Sequence, residues 1–431
     1  MCKAIRHDRI QHLMDKSVLC KNEKRCNNGL PNKINFGNNS NRTMTNNFIQ
    51  QSLLLQNLAI DAITLVQSYL NRLGYKAQIH FELEGCYRFE NNRDQKLDFT
   101  RINQCLRELN IDGEIVCEYW RNQWEYVSLF NGQTPLKEAH NLQRVITQLP
   151  KLFQQLYGQN SIIETLIKPV VWSGDKGKLV AGSSQIFTND TRAVHIPNAV
   201  QLNVSVLDSH GNNLIAEEGF GEYLQNCFLR TSLECCLLYL PEEAAFERLA
   251  LKTRYGLAQE LCSPVDISGG HQGSIALYKK FGKHNQNMGE EPLLYDRHNK
   301  VLSVQQNWQK TARIEHRLGA ASVQYNPFVN VLYGLINVLD AVQAYEKEPR
   351  LLTDNFTHIS LPSSLFTDKD NSANLGAVDL FNASTWFSDS INLIEEKMAS
   401  VRVQNALNCP MALGDKIKQV ILAQYQVSIF N

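Results

Sequence analysis

Arg313, Glu315 and Arg317 recur at every second position of Lys310-Thr311-Ala312-Arg313-Ile314-Glu315-His316-Arg317. On a β-strand this spacing sets two guanidinium groups and one carboxylate on the same face. A guanidinium clamps phosphate oxygens through paired N–H donors, and a carboxylate ligates Mg²⁺. Such a row can therefore hold a metal ion and a polyphosphate together. The plainer alternative is an exposed strand whose alternating charges pair with each other.

Glu82 and Glu84 repeat the spacing within Gln78–Phe89, and Glu90 follows close behind. Two like charges on one strand face repel unless water or a cation lies between them. A divalent ion is one solution, and a solvated face over a core of Ile79, Phe81 and Leu83 is the other. Glu118 and Glu125 flank Tyr119-Trp120-Arg121-Asn122-Gln123-Trp124. A single strand would set these two on opposite faces, so they converge only across a bulge, a turn or a helical segment. Pocket wall and simple core packing both suit them. The histidines show no H-x-x-H or H-E-x-x-H spacing, which speaks against zinc. G-x-x-x-x-G-K-[ST], G-x-G-x-x-G and G-x-S-x-G are all absent. The basic loop Gly174-Asp175-Lys176-Gly177-Lys178 suits phosphate or plain solvation.

These residues need strands to align them and helices to bury the other face. Ala77–Phe89 and Gln201–Leu207 read as strands, the latter turning at Asp208–Asn213. An apolar stripe at Leu53, Leu54, Leu58, Ile60, Ile63, Leu65, Tyr69 and Leu73 predicts a helix closed by Gly74. Leu136–Tyr157, Glu222–Tyr239 and Phe328–Glu346 read as further helices. Ser364 is placed to cap an element after Leu361-Pro362-Ser363, and the remainder is mostly helical. Residues 172–190 read as a loop and 280–312 as a long polar insertion. Residues 1–47, rich in Asn, Lys and Arg, lack the apolar surface to order themselves and read as a polar tail, with one short helix near Arg9–Leu19. Strands and helices without a βαβ rhythm predict an α+β fold over 48–431.

The chain of 431 residues carries no formal net charge. That balance gives no sign of a nucleic-acid or anionic-membrane surface. The 11 cysteines include no C-x-x-C pair, and several lie in apolar runs such as Cys235-Cys236-Leu237-Leu238. They read as buried thiols in a reducing compartment. No signal-peptide core and no membrane-length apolar run are evident, so a cytoplasmic location is expected.

In their order these pieces resemble the catalytic domain of glutamine synthetases, from about residue 49 onward. Glu82 and Glu84 match that family's G-x-E-x-E strand, with His80 in place of Gly. Glu118 with Gln123-Trp124-Glu125 resembles the segment ending G-Q-x-E. Pro241 to Leu249 is similar to P-T-x-N-S-Y-K-R-L, Lys310 to Arg317 to K-x-x-R-I-E-x-R, Asn326-Pro327-Phe328 to N-P-Y, and Leu361 to Leu365 to L-P-x-S-L. The family loop N-G-S-G-M-H is rewritten as Ile196-Pro197-Asn198-Ala199-Val200-Gln201. Both Arg residues of N-R-x-x-x-I-R are replaced, by His271 and Ala276.

The resemblance implies a curved antiparallel sheet flanked by helices, and ATP with two Mg²⁺ or Mn²⁺ ions as cofactors. One ion would be held by Glu84, Glu118 and Glu125, the other by Glu82, Glu315 and Gln201. It implies that Arg317 faces the γ-phosphate, Lys310 and Arg313 the nucleotide, and Arg248 a carboxylate substrate. The expected activity is an atypical ATP-dependent carboxylate–amine ligase working through an acyl phosphate. The alternative is a non-catalytic relative that binds nucleotide, metal or a protein partner. Expected partners are small carboxylates and amines, with neither nucleic acid nor membrane. A homo-oligomer is compatible with the sequence, but the family's ring is not expected, because residues 1–47 do not resemble its small β-grasp domain.

Overall fold

The structure is a computed structural model that describes residues 39–89, 96–118, 122–128, 132–158, 162–172, 195–217, 219–254, 274–280, 308–348, 360–368, 374–399 and 411–426. The expectations for Arg9–Leu19, for 173–190, for 270–273 and for most of the 280–312 insertion lie outside these residues.

In chain order the elements are α1 (Asn39–Arg72), β1 (Lys76–Phe89), α2 (Phe99–Glu108), β2 (Gly113–Cys117), β3 (Gln123–Ser128), α3 (Pro135–Tyr157), β4 (Ile162–Leu166), β5 (Val170–Trp172), β6 (His195–Pro197), β7 (Val200–Leu207), α4 (Phe220–Ser232), α5 (Glu243–Arg254), β8 (Ile275–Tyr278), β9 (Arg313–His316), α6 (Pro327–Lys347), α7 (Ala377–Ala383), α8 (Trp386–Lys397) and α9 (Leu413–Gln426). The main sheet runs β2-β3-β1-β7-β9-β8, with β4 also on β1, and each of these pairings is antiparallel. β5 and β6 form a separate ribbon.

The alternation of residue types decides which way the sheet faces. Ala77, Ile79, Phe81 and Leu83 of β1, Leu202, Val204 and Val206 of β7, and Trp124 and Tyr126 of β3 join the buried core. α6 lies against this side: a methyl group at Gly334 would stand 3.3 Å from Leu202 and 3.5 Å from Ile79. The helix starts cleanly because Asn326 accepts hydrogen bonds from Phe328 N and Val329 N, with Pro327 in the first turn. α1, α3 and α4 pack around α6. Gly85 is required on β1, since a Cβ there would meet the Trp124 ring at 2.3 Å.

Several boundaries differ from the sequence expectation. α1 begins at Asn39, within the polar run and well before the apolar stripe. The helix expected over Glu222–Tyr239 stops at Ser232 and resumes as a 3₁₀ turn at Cys236–Leu238. The Ser364 hydroxyl donates to Phe366 O instead of capping a helix, and α7 starts only at Ala377, whose N–H the Ser364 carbonyl accepts at 3.2 Å. Two segments, Ile49–Arg72 and Pro327–Lys347, are long and apolar enough to cross a membrane, contrary to the sequence reading. Both lay apolar residues into the core, and the second is 78% buried.

Candidate functional site

The side of the sheet opposite the core is polar. Register carries Gln78, His80, Glu82 and Glu84 of β1 onto it, and β7 adds Gln201, Asn203 and Ser205 directly opposite Glu82, His80 and Gln78. Glu315 pairs in register with Asn203 on one side and with Ala276 on the other, and Arg313 pairs with Tyr278. Glu125 stands opposite Glu84.

The Glu118–Glu125 puzzle is resolved by a hairpin. β2 ends at Cys117 opposite Trp124, and Glu118 N donates to Gln123 O at 3.2 Å. Glu118, the residue just past β2, and Glu125 of β3 therefore share the polar side. Glu82, Glu84, Glu118, Glu125, Gln201 and Glu315, far apart in sequence, thus come to one face of one sheet.

The charged row on β9 closes on itself. Glu315 Oε2 accepts from Arg313 Nη2 at 3.0 Å, and Oε1 accepts from Arg317 Nη1 at 2.9 Å. This is the self-pairing alternative in part, but it is buried instead of exposed: Arg313, Glu315 and Arg317 are 4%, 4% and 7% exposed. Arg313 Nε also donates to Asn203 Oδ1 at 2.7 Å, and its guanidinium carbon sits 4.8 Å from the centre of the Tyr278 ring. Burial raises the Tyr278 phenol above its ordinary range.

The β1 carboxylates also have protein partners. Glu82 Oε1 accepts from Asn203 Nδ2 at 3.1 Å. Burial, and then the nearby Glu315, push the Glu82 carboxyl up to about 7 against the opposing pull of Arg313, Arg317 and Asn203. Glu84 Oε2 accepts from Ala199 N at 2.7 Å and from Gln123 Nε2 at 3.4 Å. Gln201 Oε1 is buried without a hydrogen-bond partner.

The rewritten loop is spent on scaffolding. Asn198 is fully buried; its Oδ1 accepts from Gln123 Nε2 at 3.0 Å and from Cys86 Sγ at 3.6 Å, and its Nδ2 donates to Lys168 O at 2.9 Å. Burial raises the Cys86 thiol to about 12, which makes it an inert packing group. Arg248, on α5, is off the sheet: it is 1% exposed, and Nη1 donates to Leu318 O at 3.3 Å, one residue beyond Arg317. Lys310 is exposed on the 3₁₀ turn Trp308–Lys310 that leads into β9.

Tested as metal donors, the two expected sets differ. Glu84, Glu118 and Glu125 have the right chemistry for a hard divalent cation, with Glu84 and Glu125 cross-strand neighbours. Among the described residues, however, no three His, Cys, Asp or Glu side chains gather closely enough to hold an ion. Glu82, Glu315 and Gln201 fit less well, because the two carboxylates are engaged by Asn203 and by two guanidinium groups.

Sequence reasoning passed over Asn203 and Tyr278, which orient Arg313. The signal for Asn203 was present: Gln201, Asn203 and Ser205 alternate with Leu202, Val204 and Val206. Tyr278 had no such signal, because its partner lies on a different strand across a long gap in the chain.

No protein-family model and no curated protein matches the chain. Solved structures do. One described as a novel glutamine synthase homolog is 13% identical, with a TM-score of 0.50, over 85% of this chain and 75% of that one. A GmaS–ADP complex is 10% identical, with a TM-score of 0.50, over 86% of this chain and 74% of that one. The chain therefore has a glutamine synthetase-like fold of the α+β class.

Proposed function

We propose that this protein is an atypical ATP-dependent ligase that joins a carboxylate to an amine. One observation carries the reading: the positions expected for carboxylate chemistry, drawn from β1, β2, β3, β7 and β9, share one face of the sheet with a buried pair of guanidinium groups. In such a reaction the carboxylate attacks the γ-phosphorus, and the bond from that phosphorus to the ADP oxygen breaks. The amine then attacks the carbonyl carbon of the acyl phosphate, releasing phosphate and a proton.

Arg317 and Arg313 are suited to hold the transferring phosphoryl oxygens, since fixed donors in a water-poor site stabilise developing charge without reorganising. Lys310, exposed beside β9, suits a nucleotide phosphate, and Arg248, behind Leu318, a carboxylate substrate. A divalent ion at Glu84, Glu118 and Glu125 would supply further neutralisation of phosphate charge.

A second reading has its own support. Glu315 is clamped by both arginines, and Ala276, not a third arginine, stands opposite it. A relative that binds nucleotide without turnover fits those facts.

The test uses the full chain with Mg²⁺ or Mn²⁺, ATP and a panel of carboxylic acids and amines. The ligase reading expects phosphate release with at least one acid–amine pair, lost in Glu315→Ala. ADP is a natural binding probe, because one structural neighbour is an ADP complex. ADP binding without release on any pair would favour the second reading, and absence of both would remove the two together.

A further inference from the structure

We propose that Glu315 ligates no metal ion, and that Arg313 and Arg317 supply around it the positive charge a second divalent ion would bring. The proposal rests on reading this sheet face as the site, and concerns how the site is charged.

Both Glu315 oxygens are taken, one by each guanidinium, at 3.0 and 2.9 Å. The three side chains are nearly sealed from water, at 5%, 5% and 8% exposure. Arg313 cannot easily swing aside, because Asn203 and Tyr278 hold it from two further directions. A divalent ion at Glu315 would have to displace a guanidinium while remaining beside it, and like charges in a poorly solvated pocket repel strongly.

The surrounding donors point the same way. Asn203 gives one N–H to Glu82 and takes one from Arg313, so it ties the neighbouring carboxylate into the same network. Gln201 offers a neutral amide oxygen, a weaker ligand for a hard dication than a carboxylate. Two guanidinium groups facing Glu82 and Glu315 can balance without any ion. The unpartnered Gln201 Oε1 is an acceptor, so that place suits an N–H or O–H of a ligand or a water molecule.

The experiment counts Mn²⁺ on the full-length chain by electron paramagnetic resonance and equilibrium dialysis. The expected result is no more than one Mn²⁺ per wild-type chain, with affinity unaltered in Glu315→Gln. Arg317→Met should then gain a Mn²⁺ that wild type lacks, because it frees one Glu315 oxygen and leaves the cluster one positive charge short. Two Mn²⁺ ions on wild type would overturn the proposal. So would a loss of about tenfold or more in affinity in Glu315→Gln, the scale expected when a group that supports a metal is removed. The wild-type count stands even where a variant fails to fold. ADP binding measured alongside separates the two readings. A chain that binds ADP and two Mn²⁺ ions sinks this inference alone. A chain that binds no ADP and at most one Mn²⁺ sinks the nucleotide reading and leaves Glu315 as proposed.

Discussion

Glu84 and Glu125 stand directly opposite one another on β1 and β3, two carboxylates on one face of an antiparallel pair. Facing like charges cost roughly 0.2–1 kcal/mol, and a shared cation reverses the sign of that term. Glu125→Gln should therefore raise the melting temperature slightly in chelator, and, on the proposed metal site, Mn²⁺ should stabilise wild type but not this variant. Thermal melts with and without Mn²⁺ check both halves. A variant that keeps the full Mn²⁺ shift would exclude Glu125 as a donor.

Arg313 is held from three directions: by Asn203, by Glu315 and by the face of Tyr278. A desolvated cation–π contact contributes on the order of 1–2 kcal/mol. Tyr278→Phe should then leave ADP affinity almost unchanged, while Tyr278→Leu weakens it by about 5–30-fold, as that range converts. Calorimetric titration of both variants reads the difference. Equal losses in the two would assign the effect to the phenol hydroxyl.

Glu138, on α3, is fully buried, and neither oxygen meets a hydrogen-bonding partner in good geometry. Burial holds its carboxyl well above the ordinary 4.5, with Ser128 and Lys137 offsetting part of the effect and Asp112 adding to it. The folded chain thus keeps a proton that the unfolded chain releases above that value. Its contribution is fully present below the unfolded pKa and is lost as pH rises toward the folded one. Stability should fall as pH rises above the ordinary carboxylate range, and Glu138→Gln should flatten that slope. Urea melts at rising pH test this, and an unaltered slope would assign the pH dependence elsewhere.

Gly85 meets the Trp124 ring where any side chain would begin. Gly85→Ala should cost about 1–3 kcal/mol through overpacking. Gly85→Ala combined with Trp124→Phe should recover part of it, as a denaturation series on the single and double variants would read.

Much of the sheet was legible because β1 and β7 alternate apolar and polar residues, and alternation names both the element and its faces. Alternation alone sets Glu118 and Glu125 on opposite faces of one strand, and it is the turn, one of the routes to convergence that the sequence left open, that brings them together. The start of α1 was hidden by side chains that have no apolar stripe, although the backbone is helical from Asn39. The break after Ser232 was equally hidden, because the residues that follow are as buried as those of α4. Within single strands, spacing predicted which groups would share a face, whereas the joining of carboxylates from several strands was implied only by the resemblance to glutamine synthetases. Whether the carboxylates would gather around an ion or pair with arginines depended on cross-strand neighbours such as Asn203 and Tyr278. That information is pairwise and long-range.

β1 is bonded along both edges: on one to β7 over Lys76–Leu83 and then to β4 over Cys86–Phe89, and on the other to β3 over Glu82–Cys86. Amide protons between Glu82 and Cys86, where both edges are covered, should therefore exchange with solvent only through openings that also release a neighbouring strand, near the slow limit set by global unfolding. Glu82 and Glu84 ride on that segment, so fraying at the sheet margin leaves them in place. A ligand arriving at this face would meet it either assembled or lost with the whole sheet, with little in between.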